Sequence, residues 1–413
     1  MGCSMKSRRE NLGAGILRFV AALFFGLAAT IQAQPTNAPI DWDKARVLGH
    51  RYERGEHLTD DELALLQASR DERARRLGEG APPVTDIFTN RNRSLISLIP
   101  LTVLAQGETY KGADGGLYGQ GRNTPPPELE AAMRKALGTV APRDIDGRPD
   151  KSGLIVLLSI GMSNTTQEFE RFKELAEGDR AKSDALIIVD GAQSGCDAGT
   201  WDPANPESFE IWRELERRLK MSGVTAPQVQ VLWLKQARQQ PALYGEFPGH
   251  VDELKEHLIA ILQEARRRFP NLQIAYLSSR TYAGYAKTTL SPEPYAYESA
   301  FAVRGVILDQ MRGDKKLNLD PEQGPIRAPV VMWGPYLWTD GAKAREDGLT
   351  WLPRDVERDG VHPSASGRDK VAHLLLDFFK TNPLAMPWFT GRGLDLQPAE
   401  SIQPHKPVSP EAL

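Results

Sequence analysis

From residue 153 onward the chain alternates short apolar runs with longer amphipathic stretches. Residues 154–160 (LIVLLSI), 185–189 (ALIIV), 229–234 (VQVLWL), 272–277 (LQIAYL) and 329–333 (PVVMW) are apolar at nearly every position. Strands buried on both faces of a parallel sheet need that pattern, whereas a half-solvated strand would alternate. Between the runs, 167–176, 208–221, 251–268 and 297–311 carry apolar residues at helical spacing, and a further helix follows around 368–379. Regular alternation of strand and helix predicts a doubly wound, three-layer α/β/α domain with about five parallel strands. In such a sheet, ligands bind beyond the carboxyl ends of the strands.

The rest of the chain divides by its patterning. Lys6, Arg8 and Arg9 precede a short apolar run at 19–31, with Ala33 behind it. That layout predicts a secretory signal over 1–34, followed by export to the periplasm or beyond the cell. The run is too short for a comfortable membrane span, and an uncleaved N-terminal anchor is the alternative reading. Residues 35–84 predict a helical hairpin from two charged amphipathic stretches, 41–54 and 58–76, the second opening on a capping box at Thr59 and Glu62. A loop-rich segment, 85–150, leads into the main domain at 151–386. Within it, 106–127 (QGETYKGADGGLYGQGRNTPPP) fits either a solvated linker or a long ordered loop over a binding site, and a helix is expected at 128–137. The tail, 387–413, is rich in proline and polar residues.

Composition narrows the functional classes. A formal charge of −3 over 413 residues provides no basic field for nucleic acid. Of the two cysteines, Cys3 lies ahead of the apolar run, so Cys196 alone would remain after cleavage and no internal disulfide can form. Cys196 reads as a small core residue, with a reactive thiol as the alternative. No Cys/His spacing suggests a metal site, and no cofactor motif is present. A metal-dependent hydrolase using Asp190, Asp197 and Asp202 is a weak alternative, since no ligand spacing supports it.

Candidate chemistry gathers where strands end. Gly161-Met162-Ser163-Asn164 closes the first run, and a serine there faces the cleft beside the positive end of a helix dipole. Serine is also a favoured N-cap, so on its own Ser163 fits either role. A serine hydroxyl becomes a useful nucleophile when a base removes its proton. His362 is the outstanding candidate among seven histidines. It lies in Asp359-Gly360-Val361-His362-Pro363, after the last run, and Asp359 is placed to orient its ring. His50 and His57 belong to the charged hairpin, His250 and His257 read as solvated or capping residues, His373 sits in the last helix and His405 in the tail. Tyr282, Tyr285, Tyr295, Tyr297 and Trp338 fall after the fourth and fifth runs, as packing residues or as a rim for a sugar ring.

These segments resemble the blocks of the SGNH (GDSL-like) hydrolases. Gly161-Met162-Ser163-Asn164 is similar to the first block, with methionine where aspartate is common. Asp190-Gly191-Ala192-Gln193-Ser194-Gly195 resembles the second and Asp359-Gly360-Val361-His362-Pro363 the fifth. The third block departs from the G-x-N-D form: Trp233-Leu234-Lys235-Gln236-Ala237 is similar to the W-x-Q-G-E form of carbohydrate and sialate O-acetylesterase branches. The resemblance spans 153–380 and implies a flavodoxin-like fold. It also implies catalysis by Ser163, His362 and Asp359, with an oxyanion hole formed by the Ser163 and Gly195 N–H groups and the Gln236 amide. The expectation is therefore an exported serine esterase acting on acetyl or related esters, on small molecules or glycans, without metal or cofactor. The alternative, suggested by Met162 and the altered third block, is a binding or surface protein on an inactive hydrolase fold. The sequence leaves oligomeric state open.

Overall fold

The structure, a computed structural model, describes residues 41, 44, 45, 48, 59–65, 68, 69, 98–104 and 107–392. The expected signal at 1–34, most of the hairpin, and the tail past 392 lie outside these residues, as do Cys3, His50, His57 and His405. The chain forms two units, 1–80 and 81–413. In the first, the predicted capping box is formed: Thr59 N–H donates to Glu62 at 2.9 Å, and Glu62 N–H to Thr59 Oγ1 at 3.3 Å.

The second unit carries the sheet. A two-residue hairpin, β1 (Thr109–Tyr110) with β2 (Ala113–Asp114), and α1 (Pro127–Leu137) precede it. Then follow β3 (Ile155–Gly161), α2 (Ser163–Glu177), β4 (Leu186–Asp190), the short α3 (Ala198–Trp201), α4 (Ser208–Met221) and β5 (Val229–Lys235). α5 (Gly249–Arg268), β6 (Ile274–Ser278), α6 (Tyr295–Met311), β7 (Val330–Trp333), α7 (Ala365–Thr381) and α8 (Met386–Thr390) complete it. The strands run in the order β4-β3-β5-β6-β7, all parallel. Every residue of β3, β5, β6 and β7 is buried, which explains their continuous apolar runs. α2 packs with α7, and α5 with α6, so helices cover both faces. The fold is the expected three-layer, flavodoxin-like α/β/α arrangement. Among the described residues no helix is long and apolar enough to cross a membrane.

After β3 the chain crosses to β4 on one side, then returns to β5 on the other. The carboxyl ends of β3 and β5 therefore flank the topological switch point, where a crevice opens. α2 begins there at Ser163, four residues before the apolar periodicity starts. Its polar first turn carries no helical stripe, and Phe169, Phe172 and Ala176 supply the buried face only later.

Two expectations change. Residues 107–127 are not a solvated linker: Leu117 and Tyr118 join the core, Trp333 Nε1 donates to Leu117 O at 2.7 Å, and Arg304 pairs with Asp114 at 3.1 Å. Indole and guanidinium groups from β7 and α6 satisfy a backbone that has few ladder bonds of its own. His250 is not solvated. It is 4% exposed, with Nε2 2.7 Å from Glu298, a partner on α6 invisible from its local sequence. His257, half-buried, bridges Asp202 and Glu253 at 2.6 and 2.8 Å.

Candidate active site

The junction of β3 and α2 is tight. A Cβ on Gly161 would lie 2.3 Å from Thr165 Oγ1, so only glycine lets the strand end approach the first helical turn. Thr165 Oγ1 in turn donates to Lys235 O at the end of β5, at 2.8 Å. Met162 is extended and caps the helix with no side-chain hydrogen bond. Ser163 is thus the first helical residue, at the positive end of the dipole, with its side chain half-buried.

Ser163 Oγ lies 2.8 Å from His362 Nε2, and His362 Nδ1 lies 2.5 Å from Asp359 Oδ2. These residues come from opposite ends of the domain, 199 positions apart in the case of the serine and histidine. The other oxygen of Asp359 accepts from Val361 N–H at 2.9 Å and His362 N–H at 3.0 Å. Burial alone would raise this carboxyl's pKa, but the hydrogen bonds from His362 and the two backbone N–H groups outweigh it and hold the group down at about 2. Asp359 is therefore ionised at neutral pH and acts only as an acceptor. An imidazole with its Nδ1 proton committed to that carboxylate presents the Nε2 lone pair to the serine hydroxyl.

The turn is held from two sides. Asn164 Nδ2 donates to Val361 O at 2.9 Å, which ties the histidine turn to the helix that carries the serine. Gly360 sits at φ 73°, and a Cβ there would fall 1.8 Å from Tyr285 O. Lys287 N–H donates to Asp359 O at 2.8 Å. The loop after β6 thus braces the turn along its backbone.

The proposed oxyanion residues lie on adjoining loops. Gln193 N–H and Trp201 Nε1 donate to Gly161 O at 3.0 and 3.1 Å, which draws the loop after β4 against the end of β3. Gln236, 1% exposed, donates its amide to Cys196 O at 3.3 Å, while Gly195 O accepts from Gln239 at 3.2 Å. Gln236 is therefore joined to the loop bearing Gly195. Cys196 is buried with its thiol against Ser194 O.

Other candidates serve the frame. Asp190 is half-buried and accepts from Ser159 and Thr166. Asp197 caps α3 and pairs with Arg238 at 2.9 Å, and Asp202 meets His257. Tyr297 and Trp338 are buried at 1% and 0% exposure, with Tyr295 and Tyr297 in the first turn of α6 rather than in a loop. Tyr282 and Tyr285 pack edge to face with ring centres 5.2 Å apart. Several residues escape sequence reading altogether. Glu293 accepts from Ala283 N–H, Tyr297 N–H and Trp338 Nε1, and Arg280 lies against Met162. Only the position of Arg280, three residues past an apolar run, hints at it.

No protein-family model matches the chain, and no curated protein matches it. Among solved structures it is similar to a protein assigned as an acylhydrolase from Bacteroides fragilis, at 12% identity over 60% of this chain and 94% of that one, with a TM-score of 0.33. A Streptococcus protein described as a platelet activating factor matches at 17% identity over 61% and 92% of the two chains, TM-score 0.30. A salicylyl-acyltransferase from a tetracycline biosynthetic pathway matches at 17% over 57% and 58%, TM-score 0.30.

Proposed function

We propose that the protein is a serine ester hydrolase that works through an acyl-enzyme, with Ser163 as nucleophile, His362 as general base and acid, and Asp359 as the residue that orients it. One observation carries this reading: the unbroken line of hydrogen bonds from Ser163 Oγ through His362 to Asp359, at 2.8 and 2.5 Å. Serine attacks the acyl carbonyl while His362 Nε2 takes its proton. Collapse of the tetrahedral intermediate returns that proton to the departing alcohol. A water molecule, deprotonated by the same nitrogen, then frees the acid and restores the serine.

Charge develops on the carbonyl oxygen during attack, and the N–H at the start of α2 is aimed for it by the helix itself. Gly195 N–H and the Gln236 amide are the further donors in this proposal. Export through a leader at 1–34 and acetyl esters of sugars as substrates belong to the same reading. The second reading, a binding protein on an inactive fold, draws on the Gln236 amide, which donates to Cys196 O.

Purified protein should hydrolyse short acyl esters, acetylated sugars among them. Ser163→Ala should lower kcat by at least about 10⁴-fold, and a fluorophosphonate should label Ser163. Full activity in Ser163→Ala would end the enzymatic proposal. An unlabelled, inactive wild type would favour the binding protein.

A further inference from the structure

An ionic pair stands behind the two loops assigned to the oxyanion. Asp197 lies two residues past Gly195, and Arg238 two residues past Gln236. Arg238 Nη1 donates to both oxygens of Asp197, at 3.0 and 2.9 Å, and the two side chains are only 12% and 9% exposed. The same carboxylate accepts from Gln239 N–H at 2.9 Å, while Gln239 Nε2 reaches back to Gly195 O at 3.2 Å. Ala198 N–H donates to Ala237 O at 3.0 Å. The loop after β4 and the loop after β5 are thus fastened together around one carboxylate. The guanidinium is itself fixed from its far side. Its Nη2 donates to Tyr244 Oη, its carbon lies 4.5 Å from the centre of the Tyr244 ring, and Glu253 sets a carboxylate oxygen 3.0 Å from Nε.

A glutamine amide sits at the end of several rotatable bonds, so an oxyanion donor of this kind has to be held by its surroundings. Gln236 is oriented by both loops: its Nε2 donates to Cys196 O at 3.3 Å, and its Oε1 accepts from Ala237 N–H at 3.3 Å. An amide nitrogen carries two N–H groups, so the one not spent on Cys196 is the donor assigned to the oxyanion. Its direction depends on where the Cys196 carbonyl stands relative to the end of β5. We infer that Asp197 and Arg238 are positioning residues for the hydrolysis proposed above, on which this inference rests: their ion pair sets that separation and so aims the Gln236 amide at the oxyanion. Neither residue has to touch the substrate. The contribution is geometric, because donors fixed in advance stabilise a developing charge without reorganising as it forms.

The test is a double-mutant cycle on hydrolysis of p-nitrophenyl acetate, with Gln236→Ala, Arg238→Met and the double variant beside the wild type. Gln236→Ala should lower kcat by about 10²–10³-fold, the usual cost of one oxyanion donor. Arg238→Met should lower it by about 10²-fold, typical of a misplacement near 1 Å, and leave KM unchanged. Because both changes take away the same donor, the double variant should be no slower than Gln236→Ala alone. Asp197→Asn can keep the cap on Thr200 N–H while losing the charge. It should show the same loss, and it takes the place of Arg238→Met in the cycle if that variant does not fold. Losses that multiply in the double variant would mean that the pair acts elsewhere and overturn the inference alone, as would full activity in any of the three single variants. A wild type that neither hydrolyses the ester nor labels with a fluorophosphonate would overturn the hydrolytic reading, and this one with it.

Discussion

Within the turn at 359–362, one carboxylate accepts three hydrogen bonds from a four-residue span, to the ring and the backbone of His362 and to the backbone of Val361. The turn closes this tightly because Gly360 takes a left-handed conformation beneath the Tyr285 carbonyl, where any Cβ would collide. The pKa of Asp359, held at about 2 against an ordinary 3.8, makes the turn a pH-dependent element of stability. A depressed folded-state pKa adds stability above the unfolded value and loses it as pH falls toward the folded one. The stabilisation should be about 2 kcal/mol at neutral pH and roughly half that at pH 3. Urea unfolding of wild type and Asp359→Asn should show the gap between them narrowing over that interval; a constant gap would contradict this assignment. D-x-x-H is visible in the sequence, but the bonds that hold the carboxylate ionised follow from backbone geometry that no spacing reveals.

Among elements, the contact that matters most for the site is between the start of α2 and the turn before α7. Asn164 makes it by donating to Val361 O at 2.9 Å, and it is 2% exposed. In Asn164→Ala the carbonyl loses its partner in a closed environment, which should cost about 1–3 kcal/mol of stability. Freed from that tether, His362 would drift from Ser163. Labelling of Ser163 should then slow by about 10²-fold, the penalty typical of a misplacement near 1 Å. Slower labelling with unchanged pH dependence would fit a lost alignment, and an unchanged rate would show that the tether is dispensable. The strands themselves were legible as apolar runs, with ends displaced by one or two residues. The apolar periodicity of α2 begins only at 167, because its first turn is polar, and its start was legible instead from Ser163 standing where a helix cap is favoured. Asn164 stands in the motif beside Ser163, yet its partner lies 197 positions away.

For the molecule as a whole, a buried ion pair joins the central strand β5 to α2. Lys235 and Glu168 are both fully enclosed, and burial brings the Lys235 pKa down to about 8 despite the neighbouring carboxylate. In Glu168→Gln the lysine and Arg280 share a water-free interior without that counter-charge, so stability should fall by about 3–5 kcal/mol. Replacing both members of the pair, as Lys235→Met with Glu168→Leu, should cost far less. Denaturation of the single and double variants distinguishes the cases, and equal losses would argue against an uncompensated charge as the cause. The sequence by itself determined the layered α/β architecture, because strands buried on both faces must be apolar throughout and the helices between them amphipathic. It also singled out a serine and a histidine after strand ends, since chemistry in this fold collects there. Only the tertiary structure decided which groups meet: the ordering of strands around β3 and β5, the tether from Asn164, the packed course of 107–127, and the charges buried behind Met162. Those contacts depend on distances between segments as many as 216 positions apart, and the local rules that make a strand or a helix carry no information about them.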